Sequence, residues 1–546
     1  MMTRLGMKRL GMKRLGLIGA LALAGLLGAS PGDAQQPKVL RIAMTAADVP
    51  TTTGAPNNGF EGVRFLGYPA FEGLVLWDLS RGDRPATLRP GLAERYEQDP
   101  ADPKTWVFHL RRGVKFHDGA PFTADSVIWT LDRFWKNDSP QFDAAGSGIA
   151  RARIPILASY RKIDDFTVSI TTTRVASYFP YMAVYILMTS PQSFEQGGRD
   201  WAKVAALPPA GTGPFRLSRF TPRVSAELSK NAEYWDQARV PKLDRVLLLP
   251  IPEANSRLAA LRSGQVDWVE VPPPDAIPSL KGAGFQVVTN SYPHVWPWFF
   301  QMGGSTTPFR DVRVRQGLNY CVDRAGLVEL LNGTAEPSVG WLKPSDPHFG
   351  TPQNRYGFDP AKGRALLAAA GFTAQNPLRF KVMISASGSG QMLPLPMNEY
   401  MQQALKEACG VEVSFEVTEW NTLLTAVRQA PDAPILNGST SVNPSSPSSD
   451  PAVAARYFLQ AFAPPNGFNW GQWNDPQFEE AFAALENARD PAAYDAAYAK
   501  AHERLVDNPP WLYIVHDLNP RAMSRRVRGF TSAQSWFQDL VTVDLQ

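Results

Sequence analysis

The sequence predicts an α/β chain folded into at least two lobes. Two observations carry that expectation. Short alternating apolar runs interleave with explicitly capped helical stretches from one end to the other, with no homopolymer block and no evident linker. The length is also too great for one core, which holds roughly 250 to 300 residues.

The first 34 residues read as an export leader, so 512 of the 546 residues are expected in the mature protein. Arg4, Lys8, Arg9, Lys13 and Arg14 form a basic start, Leu15 to Ala29 an apolar run, and Gly32-Asp33-Ala34 a small-residue exit. The apolar run falls short of the roughly 20 residues that span a bilayer. Cleavage is therefore expected before Gln35, and a retained anchor is not. A repeated Leu-Gly-Met-Lys-Arg at 5–9 and 10–14 leaves Met1, Met2, Met7 and Met12 open as the start.

Alternation marks the strands. Leu40, Ile42 and Met44 share one face, as do Trp106, Phe108 and Leu110, then Phe166, Val168 and Ile170. Val411, Val413, Phe415 and Val417 repeat the pattern with Glu412, Ser414 and Glu416 opposite. Asp359-Pro360 opens a helix that Gly371 ends, because Asp caps free amides, Pro suits the first turn and Gly suits the exit. Asp475-Pro476 and Asp490-Pro491 open two more. After Asp490, Tyr494, Ala497, Tyr498, Ala501 and Leu505 recur at helical spacing, with His502 expected to pack beside them. Residues 443–451, rich in Pro and Ser, read as the one long loop.

Charge excludes some partners. The leader carries five basic groups and one acid, a net +4, which equals the net charge of the whole chain. The mature protein is then close to neutral, and neither nucleic acid nor an anionic membrane is indicated as partner. Cys321 and Cys409 are the only cysteines, which excludes a Cys-rich scaffold and a thiolate zinc site. Export would permit a disulfide between them, but two buried thiols are the plainer expectation.

From Gly91 to Trp135 the chain reads GLAERYEQDPADPKTWVFHLRRGVKFHDGAPFTADSVIWTLDRFW. This stretch resembles the signature region of the family 5 extracellular solute-binding proteins, the dipeptide, oligopeptide and nickel binders of ABC importers. Phe71-Glu72-Gly73-Leu74, Gly211-Thr-Gly-Pro-Phe215, Asn231-Ala-Glu-Tyr-Trp235, Leu261-Arg-Ser-Gly-Gln-Val-Asp267 and the 308–315 segment resemble further motifs of that family. The resemblance implies the two-lobed periplasmic-binding-protein fold, type II and cluster C-like, with an extra domain inserted in the first lobe. Residues 35–72, 205–292 and 512–546 would then form the first lobe, 73–204 the insertion and 293–511 the second lobe. It also implies capture of a small solute by hinge closure and delivery to the importer's membrane subunits by a monomeric periplasmic protein without a lipid anchor. No enzymatic role and no cofactor are implied.

Ligand contacts are expected where loops and strand ends face the lobe junction. Trp296, Trp298 and Phe300 share one strand face, and indoles seek a hydrogen-bond partner that a cleft supplies. Trp420 follows Glu419 as in the peptide-binding relatives, and Asn437, Gly438, Ser439 and Thr440 offer polar groups where relatives hold ligand. Tyr68 is placed near the cleft edge of the first lobe. Peptide-binding relatives place an Asp in this loop to hold the α-ammonium. This chain has no acid between Gly438 and Asp450, so stacking and neutral hydrogen bonds are expected in its place.

Competing classes find little support. Asp164-Asp165 and Glu479-Glu480 are adjacent acids, the ordinary pattern of solvated positions rather than of a glycosidase pair. There is no G-x-S-x-G elbow, phosphate loop or H-E-x-x-H helix. The six histidines show no metal spacing, which counts against a nickel binder.

Overall fold

Two seven-stranded sheets form the frame. The computed structural model describes residues 36–46, 49, 53–55, 59–386, 392–444, 446–448 and 450–546, so the leader lies outside the described residues. In the first sheet Val39–Met44 is central, parallel to Arg245–Pro250 on one side and to Trp268–Glu270 on the other. Ser225–Lys230 and Phe215–Thr221 extend one edge, Arg521–Met523 and Gln286–Val288 the other. Leu40, Ile42 and Met44 are fully buried, the face that alternation marks.

The second sheet is built around His294–Phe300, antiparallel to Trp511–Asp517. Arg379–Ser385 and Glu412–Thr418 run parallel at the other side. Glu412–Thr418 is the edge strand, which is why Val413 is buried while Val417 is 53% exposed. Trp511–Asp517 belongs to this sheet, which corrects the expectation that the chain re-enters the first lobe at residue 512. Its pairing with Val295 to Phe299 fixes it there, and the return comes only at Arg521.

Between the first two strands of the first sheet a four-stranded antiparallel sheet is inserted, in the order Ala93–Gln98, Thr105–Leu110, Thr167–Thr172, Leu157–Asp164. Trp106 and Phe108 stand opposite Ile170 and Val168, all buried. Thr123 caps the helix Ala124–Trp135 through a reciprocal pair with Ser126.

The motifs found in the sequence converge on one another. Glu72, 1% exposed, accepts from Thr212 Oγ1 at 3.0 Å and Trp235 Nε1 at 2.9 Å, and also from the Tyr234 hydroxyl. His117 accepts at Nδ1 from the Gly211 N–H at 3.2 Å and meets the Gly213 carbonyl through Nε2 at 2.9 Å. A Cβ on Gly211 would stand 2.0 Å from the Ala70 carbonyl, so only glycine fits. Asp267 accepts from Arg41 Nε and Nη2 at 2.8 and 2.9 Å. These residues lock the scaffold.

Asp359, Asp475 and Asp490 each cap a helix, accepting from Lys362, Gln477 and Ala493 N–H groups. His502 is buried, accepting from the Leu342 N–H at 2.9 Å and donating to the Phe349 carbonyl at 2.8 Å. Cys321 and Cys409 are joined by a disulfide, which corrects the expectation of two thiols. The C-cap of Val312–Tyr320 is thereby tied to the end of Pro394–Cys409. Gly363 makes room for the bridge, since a Cβ there would stand 2.4 Å from Cys321 Sγ.

From Lys38 to Gln546 the chain is one compact unit. It crosses between the two sheets at 289–293 and again at 518–520, and the crossings bond to each other through Asn290 N–H and the Leu518 carbonyl at 3.1 Å. Tyr178 of the insertion reaches the second lobe, donating to Glu486 at 2.8 Å. Among the described residues no helix is long and apolar enough to cross a membrane.

Candidate functional site

A cavity of about 290 Å³ lies at the crossings, walled by the first lobe, the insertion, the second lobe and the C-terminal segment. Its aromatic wall is Trp77, Tyr185, Tyr292, Trp536 and Phe537. Trp77 stacks on Phe537 at 6.2 Å and 26°, Tyr185 meets Phe537 at 6.1 Å, and Tyr292 meets Trp536 at 5.1 Å. Such a wall suits an amphipathic solute with flat or apolar groups.

Polar groups enter from the second lobe. Lys343 Nζ donates to Ser291 Oγ at 2.8 Å and to Glu336 at 2.6 Å. Asp346 accepts from the His348 N–H at 2.8 Å, and its side-chain hydrogen bond raises the His348 pKa, with Asp495 adding to it. Ser448 closes this side. The cavity thus offers one cation, one carboxylate and two hydroxyls, of Ser345 and Ser448, from the second lobe.

Behind the wall, a buried charge cluster fixes the first crossing. Arg64 donates to Glu270 at 2.5 Å, to the Trp536 carbonyl at 2.8 Å, and to the Tyr292 hydroxyl. Glu270 also accepts from Arg521 at 3.0 Å and Trp268 Nε1 at 2.8 Å. Burial alone would raise the Glu270 pKa, but the charges of Arg521 and Arg64 outweigh it and hold it low.

None of the residues singled out in the sequence lines this cavity. Trp296 and Trp298 are 0% exposed in the core of the second lobe, because His294–Phe300 is covered on both faces. The partner Trp298 needs is Asn398, whose Oδ1 accepts at 2.8 Å. Trp420 packs half-buried at the head of a helix that Glu419 caps through the Asn421 and Thr422 N–H groups. Asn437 is left-handed at φ 46° and donates to Glu416 at 2.8 Å, followed by Gly438 at φ 73°. Ser439 and Thr440 lead into a pairing with the Phe300 end of the central strand, whereas Pro293 and Ser448 flank the cavity at its His294 end. At about 3.3 Å per residue, a seven-residue strand puts roughly 20 Å between the two. Tyr68 stands directly behind the wall: its hydroxyl donates to the Trp77 carbonyl at 3.0 Å and accepts from the Trp77 N–H at 2.8 Å.

Residues 87–456 match the family model of bacterial extracellular solute-binding proteins, family 5. The chain belongs to that family. A Salmonella choleraesuis relative, the glutathione-binding protein GsiB, is 27% identical over 455 residues, covering 82% of this chain and 84% of that one. The periplasmic oligopeptide-binding protein OppA of Salmonella typhimurium is 25% identical over 554 residues, covering 94% and 95%. The structure of the Helicobacter pylori periplasmic binding protein DppA with peptide STSA aligns at a TM-score of 0.79 and 20% identity, over 94% of this chain and 99% of that one. The two-lobed fold read from the signature is the fold of this family 5 protein.

Ser448→Phe separates the cavity from the residues expected from sequence. A phenyl ring at Ser448 fills part of the cavity, so affinity for a bound solute falls at least tenfold, about 1.4 kcal/mol. Ser439→Ala leaves affinity unchanged. Titration calorimetry on both variants checks this, and equal affinities for the two would contradict it.

Proposed function

We propose that this family 5 protein is the exported capture subunit of an ATP-driven importer, that it closes its lobes on a peptide-like solute in the cavity described above, and that it performs no chemistry on it. The observation that carries this reading is the composition of the cavity wall. Both lobes, the insertion and a crossing segment all contribute, so the space is complete only when the lobes are together. A ligand touching every wall stabilises the closed form by its differential affinity. The leader is removed on export, and the mature chain acts in the periplasm as a monomer.

The aromatic wall supports peptides with apolar side chains, glutathione-like peptides and opines over bare sugars or metal complexes. Asp346 supplies a carboxylate at the cavity. A thermal-shift screen of the purified protein with di- to pentapeptides, glutathione, opines and oligosaccharides tests the reading. A solute at about 100 times its dissociation constant adds roughly 2.7 kcal/mol of stability, enough for a clear rise in melting temperature. Shifts from the oligosaccharides alone, or from none of these classes, would contradict it.

A further inference from the structure

A second cavity, of about 330 Å³, opens on the surface of the second lobe. Val322, Val339, Pro344, Phe349, Tyr356 and Phe358 give it an apolar lining, and the Phe358 ring is 54% exposed beside it. One segment divides this space from the first cavity: Lys343, Ser345 and Asp346 line the first, Pro344 and Phe349 the second. The segment is held as a wall, since the Phe349 N–H donates to the Asp346 carbonyl at 3.0 Å and His502 bridges the Leu342 N–H and the Phe349 carbonyl. A space of this size, largely apolar and with few polar groups, suits a small molecule.

The polar groups around it select the charge of that molecule. Among the described residues that line it there is no acid. Arg324 is 4% exposed, and its guanidinium donates to the carbonyls of Ser338 at 2.6 Å, Asn319 at 3.0 Å, Tyr356 at 3.0 Å and Tyr513 at 2.8 Å. Burial lowers its pKa to about 9, which leaves it charged at neutral pH. Asn354 is also committed, donating to Asp507 at 3.2 Å and accepting from the Tyr320 hydroxyl at 3.0 Å. The Tyr356 hydroxyl donates to the Val506 carbonyl at 2.7 Å. Arg355 is different: it is exposed at the edge of the cavity, and among the described residues its guanidinium has neither an ion pair nor a hydrogen bond. An apolar space with one free guanidinium, and a second positive charge behind its wall, favours an amphipathic anion.

We propose that this cavity is a second ligand site, for a small aliphatic or aromatic carboxylate whose apolar body lies against Phe349, Tyr356 and Phe358 and whose carboxylate pairs with Arg355. The planar guanidinium fork matches a carboxylate in two parallel hydrogen bonds. A cationic head would meet two like charges, and a neutral one would leave the fork unused. The site stands apart from the solute-binding reading, because the wall at 343–349 separates the two spaces.

Titration calorimetry of the full purified chain with octanoate, octan-1-ol and octylammonium tests it. Octanoate is expected to bind, octan-1-ol to bind about fivefold more weakly, the upper end for an exposed charge pair, and octylammonium more weakly still. Arg355→Gln should weaken octanoate about fivefold and leave octan-1-ol unchanged. Ala325→Trp fills the cavity from an exposed position and should abolish octanoate binding, whereas Ser448→Phe, in the first cavity, should leave it unchanged. Octanoate that binds no better than octan-1-ol, or that binds Ala325→Trp like wild type, overturns the site. Octanoate binding lost in Ser448→Phe places the probe in the solute cavity and overturns it too. Light scattering that shows a wild-type dimer dispersed by Ala325→Trp makes a second copy the occupant, a third contrary result. Peptide-like solutes that still raise the wild-type melting temperature in any of these cases leave the solute-binding reading standing.

Discussion

Replacing Glu270 by Gln is expected to destabilise the protein by about 3 to 5 kcal/mol, the cost of leaving buried charge without its partner. Glu270 is 1% exposed between Arg64 and Arg521, both 3% exposed, so the substitution strands two guanidiniums in a site with little water. The loss should be concentrated in the first lobe and its crossing, because Arg64 also holds the Tyr292 hydroxyl and the Trp536 carbonyl. The pH dependence follows from the depressed Glu270 pKa. A carboxylate held below its ordinary value of 4.5 contributes stability that is fully present above that value and is lost as pH falls through the folded-state pKa. Wild type should therefore lose this contribution in acid below about pH 4.5, and Glu270→Gln should lack that step. Denaturant unfolding at neutral and acid pH checks both, and a loss under about 1 kcal/mol at neutral pH would contradict the role assigned to this cluster.

Removing the disulfide is the second large effect. Cys321 and Cys409 are 88 residues apart, and a cross-link closing a loop of that size constrains the unfolded chain by about 4.5 kcal/mol on the chain-entropy model. The paired Cys321→Ser and Cys409→Ser variant should melt on the order of 10 °C lower, if the second lobe unfolds as a unit. Solute affinity should hardly change, since neither cysteine lines the cavity. Gly363→Ala offers a complementary measurement, because its new Cβ would collide with Cys321 Sγ in the bridged protein. It should be less damaging in the Ser/Ser background. A melting temperature unaffected by reduction would contradict the bridge.

Local signals in the sequence read well because the physics behind them is local. Asp359, Asp475 and Asp490 cap helices wherever they fall, and Trp106 and Phe108 face Val168 and Ile170 because alternation places them on one side. The family motifs are legible for the same reason, yet they mark residues such as Glu72 and His117 that lock the scaffold rather than meet a solute. The cavity is harder to see. It gathers Trp77, Tyr185, Tyr292, Lys343, Ser448 and Trp536 from separate parts of the chain, and no spacing rule joins them.

Trp296 and Trp298 show how alternation misleads about a cleft. It tells which side chains share a face and not what covers that face. Here the face is the core of the second lobe, and the opposite face carries Phe299 stacked on Trp511 at 4.2 Å. Pro297 interrupts the ladder within this strand, and the register shifts beside it while Asn443 donates to its carbonyl at 2.9 Å. The Pro- and Ser-rich stretch at 443–451 was the better pointer, since Ser448 lies in it and lines the cavity.

Small-angle scattering with and without a solute that raises the melting temperature tests lobe closure most directly. Because the solute must touch both lobes, the account predicts a smaller radius of gyration at saturation and, for Ser448→Phe, a contraction that needs at least tenfold more solute. A wild-type radius that stays unchanged when calorimetry shows the site full would contradict capture by closure.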